Sequence, residues 1–230
     1  MRLGLFLSSP GGSPEGYAGM VGAAEERGLD SAWVPDHLLG VFGPVLDSLT
    51  ALAFLAGSTS RIKLGTGVLV LPYRHPVALA NAASTLDVLS GGRFVPGAGW
   101  NAGEFEALGM SVDERGRRTD EILECLQRLW PGEKSSFCGR FYSFKDAEIG
   151  TIPDGLRRLG EEPGCDPDEL EIETTLDVKL PTTNEPGSSA QTVAEALGQL
   201  KEAGTSFCAL SLLTPEAPAR IAEEVAPHIP

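Results

Sequence analysis

The chain has 230 residues and a net charge of −14, from 32 acidic side chains against 18 Lys and Arg. That balance argues against nucleic-acid binding, which needs a basic face to displace counterions, and the ordinary 42% hydrophobic fraction argues against global disorder. No run approaches the ~20 apolar residues that span a bilayer.

The N-terminal stretch Met1–Gly12 lacks the long apolar core of a secretory signal, so a cytoplasmic protein is expected. Cys125, Cys138, Cys165 and Cys208 are scattered, with no CxxC pair. They read as reduced thiols, not as a zinc site.

In chain order, Leu3 to Leu7 reads as a short strand. A helix from Tyr17 ends at Arg27-Gly28, a good stop signal. Ser31 to Val34 is a second strand, running into Pro35-Asp36-His37. Ser48 to Gly57 is apolar and helix-prone, and Ile62 to Leu71 is a third strand rich in Val and Leu. Val77 to Leu89 is a helix stopped by Ser90-Gly91-Gly92, and Arg93 to Ala98 is a fourth strand. Thr119 to Trp130 is an amphipathic helix with Ile122, Leu126 and Leu129 on one face.

The middle changes character. Ser136 to Phe144 looks like a hairpin turning at Cys138-Gly139-Arg140. Gly150 to Asp168 is rich in Gly, Pro and charge, with one short helical candidate, Leu156 to Glu161. Alternation then resumes with a strand over Leu170 to Val178, a helix over Ala190 to Ala203, a strand over Phe207 to Leu213 and a helix over Pro215 to Val225. The strands are apolar on both faces, which predicts a parallel sheet covered by helices. An open doubly wound sheet and a closed barrel both fit that pattern, although no GxGxxG follows the first strand.

Three segments point to chemistry. Asp36-His37 follows the second strand, where an α/β barrel places its site, and an imidazole exchanges protons near neutral pH. The pair can equally cap the helix that follows. Gly67-Val68 lies late in the third strand, where glycine suits a bulge or the close approach of a ligand. Gly97-Ala98-Gly99-Trp100-Asn101 ends the fourth strand, and Asn101 can both donate and accept. Arg115, Arg117 and Arg118 could meet a phosphate, but nearby Asp113, Glu114, Asp120 and Glu121 suggest ion pairs on a solvated face.

Taken together, Trp33-Val34-Pro35-Asp36-His37-Leu38, the run Leu64 to Pro72 with Arg74-His75-Pro76, the run Thr85 to Arg93, and Gly97 to Asn101 followed by Glu104-Phe105-Glu106-Ala107-Leu108-Gly109 resemble the bacterial-luciferase-like family, in particular its coenzyme F420-dependent branch. The hairpin Gly139 to Phe144 is also similar. The resemblance covers residues 1 to about 148 and resumes loosely from Cys165. It implies a single domain, residues 1–230, with a TIM-type barrel. The fifth and sixth strands have no counterpart between Ile149 and Asp154, leaving about six barrel strands plus the hairpin.

The resemblance implies an oxidoreductase moving a hydride between coenzyme F420 and a small organic substrate. An FMN-dependent monooxygenase and a non-catalytic binding protein, like the non-fluorescent flavoproteins, remain open. It places Asp36, Thr66, Gly67, Val68, Gly99, Trp100 and Asn101 against the cofactor, with a non-proline cis peptide at Gly67–Val68 behind the ring. His37 and Glu104 would be catalytic, Glu104 taking the part of an acid that some relatives carry where this chain has Asn101. It also implies a homodimer built on the helices after the second and third strands.

Overall fold

The computed structural model describes residues 2–7, 13–40, 45–99, 103–150, 153, 154, 156, 173–177, 190–202 and 207–211. The expected helices over Leu156 to Glu161 and Pro215 to Val225 lie almost wholly outside those residues. Strand β1 (Arg2–Phe6) leads to α1 (Pro14–Glu26), β2 (Ser31–Val34), α2 (Ser48–Ser58) and β3 (Lys63–Thr66). After β4 (Leu69–Val70) come α3 (Pro76–Ser90), β5 (Phe94–Val95), β6 (Ala98–Gly99) and α4 (Arg115–Leu129). The hairpin β7 (Ser135–Cys138) and β8 (Ser143–Ala147) follows, then β9 (Glu173–Asp177), α5 (Ala190–Glu202) and β10 (Phe207–Ser211).

Capping side chains start the first three of these helices. Ser13 accepts from Gly16 N–H ahead of Pro14, and Asp47 accepts from Thr50 N–H. The His75 ring does the same for Val77 N–H, ahead of Pro76. Gly91 ends α3 in the left-handed conformation at φ 68°, which a glycine adopts without strain.

Six parallel strands make one sheet in the order β5-β3-β2-β1-β10-β9. This is the six-strand arc expected. Among the described residues no strand pairs with the outer edge of β5 or β9. Register explains how the two faces divide. Leu5, Ala32, Leu64 and Phe94 stand side by side across four strands and are buried with the helices. The next row, Phe6, Trp33, Gly65 and Val95, faces the inside of the arc and forms a separate apolar cluster. Gly65 is required there, because a Cβ on it would run into the six-membered ring of Trp33.

Two strands are shorter than the sequence suggests. The apolar run from Ile62 to Leu71 breaks after Thr66, and the run from Arg93 to Ala98 breaks after Val95. The breaks lie at the same height, and the pieces beyond them, β4 and β6, pair with each other as a small second sheet. The cause is a side chain. The Thr66 hydroxyl accepts from Gly97 N–H at 3.0 Å and donates to Gly97 C=O at 3.1 Å, replacing ladder bonds between the strands. Gly97 can approach so closely only without a side chain, since a Cβ would collide with the Thr66 carbonyl oxygen.

On α4, Cys125 is fully buried, and burial together with Glu121 and Glu124 pushes its thiol up to about 11. Cys138, at the end of β7, is exposed. At pH 8 a maleimide is expected to label Cys138 within minutes and to leave Cys125 intact until denaturant is added, as read by peptide mass mapping. Equal labelling of both would contradict the packing of α4. Because the folded thiol titrates above its usual 9.0, its contribution to stability is complete below pH 9 and is lost as the pH climbs toward about 11.

Candidate functional site

The described residues that follow β2, β4 and β6 meet at the C-terminal ends of the strands, the face where α/β barrels carry their chemistry. Asp36 is the hub. It is 3% exposed, and its two oxygens accept from Ser48 Oγ (2.7 Å), Val70 N–H (2.9 Å) and both terminal nitrogens of Arg74 (2.6 and 2.8 Å). Four donors fill the positions a carboxylate offers. Asp36 therefore ties the β2 loop to the start of α2 and to β4.

Arg74 also reaches Asp47 at 2.6 Å, the residue that caps α2. Burial opposes the guanidinium charge, but the two carboxylates outweigh it and hold its pKa above the usual arginine value. Sequence reasoning quoted Arg74 within a motif and gave it no role. The signal was its pairing with an acid 38 positions away, which periodicity cannot reveal.

His37 and Glu104 come together as well. Glu104 is 1% exposed. Its oxygens accept from Leu38 N–H (3.1 Å) and Leu39 N–H (2.9 Å), the two residues after His37, and from the Tyr73 hydroxyl. The His37 Nδ1 lies 3.6 Å from Glu104 Oε1, and the His37 side chain is 27% exposed. Burial first, and then the Glu104 and Asp36 carboxylates, push the Tyr73 phenol above its usual value, so it stays protonated and donates. Phe105 packs edge-on against Tyr73 with ring centroids 5.7 Å apart. Glu104 thus holds the backbone that carries His37.

Thr66, Gly67, Val68 and Gly99 form the floor beside that loop. The Gly67–Val68 peptide bond is cis. Gly67 N–H donates to Val34 C=O, and a Cβ on Gly67 would lie 2.9 Å from the Phe6 ring. Val68 is 40% exposed, and Gly99 lies directly against it, with space so tight that a Cβ there would sit 2.6 Å from the Val68 Cγ2. Thr66 is fully buried, and its hydroxyl is spent on Gly97. Trp100 and Asn101 lie outside the described residues.

Other candidates take structural places. The His75 ring caps α3 and meets Tyr142 edge-on. Arg118 pairs with Glu114 at 3.0 Å and lies over the Phe141 ring, while Arg115 donates to Val112 C=O. Glu121 accepts from Arg140, Phe141 and Tyr142 N–H and so docks the hairpin on α4. Among the described residues there is no cluster of three or more His, Cys, Asp and Glu suited to a metal ion. No helix among them is long and apolar enough to cross a membrane.

The family model described as luciferase-like monooxygenase matches residues 1–158. An F420-dependent glucose-6-phosphate dehydrogenase of Kineococcus radiotolerans is 34% identical over 162 residues, covering 67% of this chain and 48% of that protein. A 4-hydroxyprotoasukamycin monooxygenase of Streptomyces nodosus subsp. asukaensis is 37% identical over 112 residues, 48% of this chain and 30% of its own. The chain thus spans 48% of the length of the first of these relatives, and 30% of the second. In fold it is similar to a monooxygenase from Streptomyces bottropensis, with a TM-score of 0.83 at 20% identity over 99% of both chains. It is also similar to an F420-dependent secondary alcohol dehydrogenase in complex with an F420-acetone adduct, with a TM-score of 0.82 at 16% identity over 100% of this chain and 99% of that one.

Proposed function

The chain belongs to the luciferase-like monooxygenase family, and from that premise we propose that it binds coenzyme F420 and moves a hydride between it and a small organic substrate. The supporting observation is the juxtaposition of an apolar floor with a partly exposed imidazole at one end of the sheet. Val68 offers its methyls over Gly99, where any side chain would fill the space, and this suits one face of a flat ring. Relatives with F420-dependent names support the choice of ring.

When bound, the deazaflavin supplies the hydride chemistry. The chain's share is positional. Gly67, Val68 and Gly99, with Thr66 bracing them from beneath, present the floor. Asp36, held by Arg74, sets the loop beside it. His37 stands at the rim, where its imidazole takes the proton of a substrate hydroxyl as the carbon gives up its hydride, and returns it in the reverse direction. Glu104 acts through His37, because its oxygens are engaged by Leu38, Leu39 and Tyr73. By resemblance alone, Asn101 is assigned to the pyrimidine edge of the ring and Trp100 to a wall of the pocket. The exposed Phe54 on α2 and Val88 and Leu89 on α3 give the expected homodimer an apolar face.

Titration with coenzyme F420, followed by its fluorescence, should give saturable binding that FMN competes for. His37→Asn should leave that affinity within about threefold and lower turnover with small alcohols by about 10²- to 10⁴-fold. If neither F420 nor FMN binds, the reading fails. Binding with no turnover across a panel of alcohols and carbonyls would favour the non-catalytic alternative. FMN binding alone would favour the monooxygenase.

A further inference from the structure

The opposite end of the arc carries a cavity of about 500 Å³ at the N-terminal ends of the strands. Its origin lies in the strand register. Ser31 and Lys63 pair across β2 and β3, two residues before Trp33 and Gly65, so they share the inner face with that row. Arg2 lies two residues before Gly4, which pairs with Ser31, and so belongs to the same face. A barrel interior is ordinarily filled by layers of bulky branched side chains. Here the described part of the lowest layer, from β1 to β3, carries Gly4, Ser31, Arg2 and Lys63 in place of bulky branched residues, and a cavity opens beneath Trp33.

The chemistry of that mouth differs from the rest of the molecule. In a chain of net charge −14, Arg2, Arg61 and Lys63 line one cavity. The two acids in its wall are turned to peptide groups. Glu25 accepts from Ser60, Arg61 and Ile62 N–H, and Asp30 accepts from Leu3 N–H. Burial opposes the Glu25 charge, but those donors and the nearby Arg61 guanidinium outweigh it and hold the carboxyl below its usual range; Arg61 also donates to Glu25 C=O at 3.2 Å. The floor is apolar, made by Trp33, Ile62, Leu29 and Val95, and the indole N–H of Trp33 is held in place by Ser31 Oγ at 2.9 Å.

We propose that this mouth is a second ligand site, for a small organic anion whose flat apolar body lies beneath Trp33 and whose carboxylate meets Lys63, Arg61 and Arg2. The volume is within the range of small-molecule sites, roughly 300–1,000 Å³. The site is separate from the cleft at the other end of the strands, and the inference stands whether or not that cleft binds a deazaflavin.

The probe is 2-naphthoate, with neutral 2-naphthamide as its control, titrated by calorimetry into the full chain. Expected is saturable naphthoate binding with a Kd on the order of 0.1–1 mM, a range set by the size of the probe. The amide should bind at least about fivefold more weakly, and raising the salt should weaken naphthoate alone. Lys63→Glu, a surface change, should weaken naphthoate by about fivefold to tenfold and leave F420 affinity at the other end unchanged. In a ¹H–¹⁵N spectrum the Trp33 indole cross-peak should move on titration, while that of Trp130, at the end of α4, stays. No binding up to 5 mM, equal binding of the amide, or shifts that bypass Trp33 would each overturn the proposal.

Discussion

Replacing Asp36 with alanine is expected to destabilise the chain by about 3–5 kcal/mol, the cost of removing one partner of a buried ion pair. The guanidinium of Arg74 would be left with one exposed carboxylate, Asp47, while Val70 N–H and Ser48 Oγ would lose their acceptor. The effect should be cooperative. Arg74→Met alone should cost a similar amount, and the double variant Asp36→Ala with Arg74→Met should cost less than the sum of the two, because neither buried charge is then stranded. Urea unfolding of the four proteins measures this directly. Strict additivity, or a single-variant cost below about 1 kcal/mol, would mean that the pair behaves like a surface ion pair. Asp36→Asn is the milder case. It keeps an acceptor for Val70 and should retain more stability while still loosening the His37 loop.

Arg93→Met is expected to cost about 2–4 kcal/mol, counting several lost hydrogen bonds to a charged group and allowing for partial access of water. Arg93 donates to five acceptors: Ser90 C=O, Thr59 Oγ1, Ile62 C=O, Ala56 C=O and Thr59 C=O. Two of these lie at the C-terminal end of α2, where carbonyls have no partner within the helix. Methionine keeps much of the stem's packing, so the loss reports the guanidinium. Lysine should not rescue it, because one ammonium cannot reach acceptors spread over three segments. Rescue by lysine to within about 0.5 kcal/mol of wild type would show that charge alone, and not the fork of donors, is what the site needs.

Much of the fold was legible because its signals are local. Ser13-Pro14, Asp47 and Gly91 announce helix ends within a few residues. The apolar runs at Leu3, Ser31 and Ile62 announce buried parallel strands. The gap expected after Ile149 falls on a stretch that lies mostly outside the described residues. The break after Thr66 was legible only as a bulge suited to Gly67, and the break after Val95 was not legible. Their cause is a hydroxyl on one strand meeting a glycine on another, 31 positions away, and such a bond leaves no trace in periodicity. The same holds for the site. Its residue types could be named from the ends of strands, and the cis peptide at Gly67–Val68 was anticipated by resemblance. That Asp36 and Glu104 spend their oxygens on the protein itself depends on Arg74, Ser48 and Tyr73, whose parts emerge only once the loops are folded against one another.

The small β4–β6 sheet carries a lesson about tolerance to loss. Among the described residues its hydrogen-bonding partners and braces, from Val34 and Asp36 through Thr66 to Gly97, come from one contiguous stretch of the chain and hang together through side-chain and backbone bonds. Architecturally, the rim is a self-supporting arch resting on a few staves, not a hoop that needs all of them. Changes to staves on the far side of the sheet should therefore leave the arch intact.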